Sequence, residues 1–193
     1  MGADTRFGST RWARLAVALV NTEPSPRHGD LLTEPARLRE LLLAHDEPEP
    51  VVVTDVDLAE ARAARTELAA VFTAAGDERR IAELLNALLA RTARPRLVGH
   101  DGVPLHLHVD APDSTWGGWL AASGGMALAL AVAEHGVDVL ARCAAPDCRH
   151  ALLRQGPGRT RRYCTATCAA RVRVAAHRAQ VRDAAAAQLD ERG

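Results

Sequence analysis

Four cysteines constrain this fold more than any other feature. They are the only ones in 193 residues, and they fall in two close pairs near the C-terminal end. Cys143 and Cys148 enclose Ala-Ala-Pro-Asp; after fifteen intervening residues, Cys164 and Cys168 enclose Thr-Ala-Thr. Zinc takes four soft donors in a tetrahedron, and two short loops supplying two thiolates each meet that demand. The first pair spans a tight turn, and the second stands at i and i+4, on one face of a starting helix. Two disulfides, or four unrelated buried thiols, are the alternatives. No export signal is evident at the start, and intracellular thiols stay reduced, which weighs against disulfides. The paired spacing weighs against scattered core cysteines. Four thiolates close the coordination sphere, so the expected cofactor is one structural Zn2+ per chain.

Between the pairs, residues 149–153 and 159–163 read as two short strands around a Gly-Pro-Gly turn at 156–158. From Cys168 to Leu189 the chain has neither Gly nor Pro and is rich in Ala and Arg, the composition of a long helix. Knuckle, hairpin and ligand-bearing helix make a treble-clef-like module. Its apolar core is small, so it is expected to need the metal to fold.

Charge divides the chain at the same place. Overall it is neutral, with 24 arginines, no lysine and 24 acidic residues. Residues 141–193 hold 11 Arg against 4 acidic residues, a net of +7, so residues 1–140 hold 13 Arg against 20, a net of −7. A basic zinc module on an acidic body is the footprint of a nucleic-acid-binding end. Arg159, Arg161 and Arg162 precede the second ligand pair. Arg171, Arg178 and Arg182 recur at i, i+7 and i+11 on the final helix, with Arg173 and His177 on its flanks. Guanidinium forks suit phosphate oxygens and guanine edges. The plainer reading is an Arg-rich helix that is merely solvated.

Residues 142–178 resemble the CGNR zinc finger, a C-terminal module of bacterial proteins whose fourth cysteine opens a Cys-Gly-Asn-Arg signature. Here that signature stands as Cys168-Ala169-Ala170-Arg171; the cysteine and arginine match, and the glycine and asparagine do not. Arg161-Arg162-Tyr163-Cys164 resembles the family's Arg-Arg-Trp-Cys, and Arg142-Cys143 through Cys148 resembles its first knuckle. The family's Asp-x-Ser element is replaced by Arg154-Gln-Gly-Pro-Gly158. The resemblance implies a DNA-binding finger.

Upstream, the apolar share of 48% is ample for a core, but with 3% aromatics and much Ala it favours helices over sheet. Residues 12–20 form an apolar run too short to separate helix from strand. Helices are expected from Pro35, with Leu38, Leu41 and Leu42 inward, over 57–75, and from Asp77, with Ile81, Leu84, Leu85, Leu88 and Leu89 inward. Residues 96–109 read as a hairpin around Asp101-Gly102, and 116–134 as a helix ended by Gly136. The apolar runs at 15–20 and 120–133 are each too short to span a bilayer, so no membrane association and a cytoplasmic location are expected.

Residues 10–140 are similar to the ABATE domain found upstream of CGNR fingers in stress-induced transcription regulators. The matching residues are 15–20 with Asn21-Thr22, Asp30-Leu31-Leu32, and Leu105-His106-Leu107-His108-Val109. The resemblance implies an α+β, sensor-like domain in front of the finger.

Two groups stand out as candidate ligand-binding residues. His106 and His108 alternate along a strand, so their side chains share a face suited to a metal or an anionic ligand, or to nothing more than a half-exposed strand. Asn21-Thr22 ends an apolar element before a Pro-rich loop, where capping the backbone is the simpler role. No nucleophile elbow, phosphate-cradling loop or spaced carboxylate pair marks an enzyme. The whole reads as an α+β, mostly helical protein. A sensing or dimerising domain over 1–140 precedes a treble-clef-like finger over 141–193. Together they describe a DNA-binding regulator with a small-molecule effector, acting as a homodimer. A zinc-stabilised protein-interaction module and an enzyme with its pocket around His106 and His108 are the competing readings.

Overall fold

A computed structural model describes residues 9–100, 103–154 and 161–190. It is mostly helical, with two short antiparallel ribbons. The organising element is α5 (Trp116–His135), against which α1 (Ser9–Val20), α3 (Asp55–Thr73) and α4 (Glu78–Leu89) all pack. Thr115 caps α5 by accepting from the Gly118 N–H, and Gly136, at φ 76°, ends it in a conformation that suits glycine. The sequence of α5 is apolar all round, the pattern of a helix enclosed on every side.

Its glycines set how closely the neighbours approach. A Cβ at Gly117 would lie 2.3 Å from Glu60 Cβ on α3, and one at Gly125 would lie 2.7 Å from Leu88 Cβ on α4. By length and composition α5 is the one described helix apolar enough to cross a membrane, but 56% of its apolar window is buried inside the protein. It is the core helix of the bundle.

The remaining helices begin where side chains take up orphan N–H groups. Thr54 and Asp57 form a reciprocal capping box at the start of α3, and Asp77 caps α4. The short α2 (Pro35–Leu43) starts on Pro35 instead and sends Leu38 and Leu42 into the core. The apolar run 12–20 lies within α1, whose Leu15, Ala16, Leu19 and Val20 join that core.

Between α4 and α5, β1 (Arg96–His100) and β2 (Val103–His108) pair antiparallel, with Arg96 opposite His108 and Val98 opposite His106. The Asp101-Gly102 turn expected there lies outside the described residues. After α5, a 3-10 turn (Val137–Val139) leads into β3 (Leu140–Arg142), which pairs with β4 (Ala151–Leu153).

This second ribbon corrects the sequence reading. The partner of β4 is β3, across the first cysteine pair, and residues 161–163 are not a strand. The knuckle itself is the ribbon's turn: Cys143 N–H donates to the His150 carbonyl at 2.8 Å. Residues 161–163 instead run beside the knuckle, where Ala144 N–H donates to the Arg162 carbonyl at 2.8 Å. The last helix, α6 (Ala166–Asp190), follows.

The β3–β4 ribbon faces two ways. Leu140, Ala151 and Leu153 enter the helical core, whereas Ala141 and Leu152 join a small core with Cys143, Cys148 and Cys168. The period-two alternation of strands makes one ribbon the floor of both.

Candidate metal centre

Each thiol is placed by a local backbone feature. The Cys143–Cys148 turn closes with Cys148 N–H donating to the Ala145 carbonyl at 3.0 Å. Thr165 caps α6 by accepting from the Cys168 N–H at 3.1 Å, which sets Cys168 in the first turn and Cys164 just ahead of it. Cys164 N–H points at Cys143 Sγ, 3.4 Å away, joining the two pairs.

All four Sγ atoms lie within 4.8 Å of one another, with Cys148–Cys164 at 3.6 Å and Cys164–Cys168 at 3.5 Å. A tetrahedron with Zn–S bonds of about 2.3 Å has edges of about 3.8 Å. The cluster fits one zinc ion. None of the four is in a disulfide, and Cys143, Cys148 and Cys168 are buried. Zinc held here is structural; it would fix the knuckle against the first turn of α6.

Burial pushes the Cys148 and Cys164 thiols up, and for Cys164 the adjoining sulfurs push the same way. Cys168 goes down to about 7, chiefly through its hydrogen bond to Thr165, with Cys164 and Arg27 adding to it against the opposing effect of burial. Those hydrogen bonds favour the Cys168 thiolate, and a cation at the centre would offset the burial that holds back Cys148 and Cys164.

Arg27 belongs to the loop between α1 and α2, far from the finger in sequence. Its Nη1 donates to Cys168 Sγ at 3.4 Å and its Nε lies 3.6 Å from Asp147. Beside it, His28 Nε2 meets His150 Nε2 at 3.2 Å. The loop is held from within. Arg65 is buried at 6% exposure; it donates to Thr22 Oγ1 at 3.1 Å and grips both oxygens of Asp30 at 2.6 and 2.8 Å. Hydrogen bonding to that guanidinium keeps the Asp30 carboxyl below its ordinary range.

Asn21 fastens the same loop to the ribbon. Its Nδ2 donates to the Ala151 carbonyl at 3.1 Å, and its Oδ1 accepts from the Ala151 N–H at 2.7 Å. Asn21 and Thr22, candidates for ligand binding, have their polar atoms engaged by the fold. Arg142 adds a third tie, donating to the Ala69 carbonyl at 3.0 Å and to Thr73 Oγ1 at 2.9 Å on α3.

The arginines expected at nucleic acid separate into groups. Arg159 lies outside the described residues. Arg161 folds back on the carbonyls of Tyr163 and Cys164, and the Arg162 guanidinium lies 5.8 Å from the Tyr163 ring centre. Arg171 makes a two-pronged ion pair with Asp147 of the knuckle at 2.9 and 3.0 Å, so it braces α6 against the turn. Arg173 and Arg178 are exposed, as are His177 and Arg182. His106 and His108 are brought together on β2, distant in sequence from the cysteines, with their Nε2 atoms 2.9 Å apart.

Sequence reasoning missed Arg27, His28, Asp147 and Arg65. Asp147 was visible as the one acid inside the knuckle, opposite an arginine at the signature position; nothing local marked the other three.

Comparison with known families agrees with this geometry. Residues 13–143 match the ABATE model, described as "Putative stress-induced transcription regulator", and residues 140–180 match the CGNR zinc finger. The two matches overlap on β3 and the first cysteine, the stretch that serves both cores. No curated protein matches the chain. A helical body carrying a four-cysteine centre on a shared ribbon, matched over most of its length, thus belongs to the ABATE family with a C-terminal CGNR zinc finger.

Proposed function

We propose that the protein is a DNA-binding transcription regulator whose zinc centre presents α6 to the duplex, with the helical body as its sensing and dimerising part. The observation that carries this reading is the exposure of α6 beyond the cysteine cluster. From Arg173 to Asp183 only Ala179 is even half-buried, and Arg173, Arg178, Arg182 and His177 all stand in solvent. A helix clear of its own core, with arginines and one acid over that stretch, matches the demands of a phosphate-lined groove. The family description points the same way. In this reading the zinc does no chemistry. It fixes the knuckle, Arg171 locks α6 to Asp147, and the outer arginines neutralise phosphates. A pair of chains would double the contact that one small finger offers. The proposal assigns no catalytic residue and places the protein in the cytoplasm.

A second reading has its own support. Val174 and Val181, at i and i+7 on α6, are 48% and 55% exposed, an apolar stripe that suits a protein partner. Binding to mixed genomic fragments across a salt series separates the two. DNA binding predicts selective recovery and a steep fall in affinity with salt. Each of Arg173→Ala and Arg178→Ala should flatten the log–log salt slope by about one unit. Absence of DNA enrichment at low salt by a protein carrying one zinc per chain would leave the docking reading.

A further inference from the structure

The β1–β2 hairpin carries a second group of metal-ligating side chains that the finger does not use. His106 and His108 share one face of β2, with Nε2 atoms 2.9 Å apart and ring centres 4.8 Å apart. On its other nitrogen, His108 Nδ1 meets Asp110 Oδ1 at 3.1 Å, and Asp110 is buried at 8% exposure. A carboxylate in that position favours the tautomer protonated at Nδ1 and turns Nε2 toward His106, the orientation that backs metal-bound imidazoles. A second acid stands nearby. Glu47, just beyond α2, is paired with Arg11 at 3.0 Å and sits close enough for His106 to act on its charge. Across the ribbon, Arg96 opposes His108, and its Nη2 donates to the Asp110 carbonyl at 2.9 Å.

We propose that His106 and His108, oriented by Asp110, form a binding site for a first-row divalent transition-metal ion. Two nitrogens each about 2.0–2.1 Å from one ion stand about 2.9 Å apart when they subtend a right angle, and about 3.4 Å apart in a tetrahedron. The observed separation matches the right angle, which belongs to the tetragonal nitrogen–oxygen sites of Ni(II) and Cu(II). Two imidazoles leave further positions for water or a small chelating molecule. Such a site differs from the cysteine centre in donor, geometry and openness, and it stands whether or not α6 binds DNA.

The zinc-loaded full chain is dialysed against nickel chloride, and zinc and nickel are counted per chain by mass spectrometry. The expected result is one nickel beside a retained zinc. His106→Gln and His108→Gln should each weaken nickel binding tenfold or more, and Asp110→Asn, which keeps both ligands, about tenfold to a hundredfold. An unchanged thermal midpoint confirms that the variants are folded. Proton NMR of the unmutated protein gives a second reading free of folding effects: nickel should broaden the ring signals of His106 and His108 before those of other histidines. No nickel beyond the zinc would overturn the proposal. So would nickel binding that survives both substitutions but is lost in His28→Gln with His150→Gln.

Discussion

Arg65 shows how a single side chain in the body controls the finger's surroundings. It lies in α3, touches no cysteine, and holds Asp30 and Thr22 at the two ends of the loop that delivers Arg27 to Cys168. Breaking a buried pair by removing one partner costs about 3–5 kcal/mol, and Asp30 keeps 28% side-chain exposure, so Arg65→Met should cost about 3 kcal/mol in a denaturant titration. The pH signature has a definite sign. Asp30 has a folded value below its ordinary one, so its contribution is fully present above the ordinary value and is lost as pH falls through the folded value. In Arg65→Met that acid-side loss should shrink. None of this was legible in sequence. Asn21-Thr22 and Asp30 stood out as matched motifs, but their partners, Ala151 and Arg65, lie 130 and 35 residues away, and only the folded chain brings them together.

At the level of elements, close helix approach explains why α5 tolerates so many glycines. Gly125 sits where a Cβ would collide with Leu88, so Gly125→Ala gains helix propensity but overpacks the α4–α5 contact. A net loss of about 1–2 kcal/mol is expected, read as a lowered thermal midpoint. The helices were legible because capping residues and leucine spacing are local signals: Asp77 before Ile81, Gly136 after α5. The helix expected from Asp57 starts two residues earlier, because Thr54 is its cap and Asp57 closes the capping box from inside the first turn. The cysteine centre was legible for the same reason, since each pair is a short-range motif. The partner of β4 was not. Strand pairing is non-local, and the Gly-Pro-Gly turn expected at 156–158, which lies outside the described residues, offered a nearer partner in 159–163 than the one the fold uses, on the other side of the knuckle.

For the molecule as a whole, the shared ribbon predicts that metal removal will be felt well beyond the finger. Ala151 is bonded on both sides by Asn21 and contributes to the helical core, while its neighbour Leu152 packs with the cysteines. Chelation of zinc should therefore raise hydrogen exchange at the Cys143 and Ala151 amides together. It should also lower the melting temperature of the helical body by several degrees, at about 2–4 °C per kcal/mol for a chain of this size. A body that melts unchanged after chelation would contradict the shared-core picture.

That ribbon also bears on how such a protein can be recombined. Fingers joined by slack linkers can be moved between proteins as cassettes. This one parts from its supports when cut at residue 140: the helical core that receives Leu140, Ala151 and Leu153, the Asn21 clamp and the Arg27 contact all belong to the host. A chimera built at that seam inherits a centre missing its supports. Swaps should succeed when the loop of residues 21–32 and the α3 surface that receives Arg142 travel with the cysteines, so the inheritable unit is the joint as well as the finger.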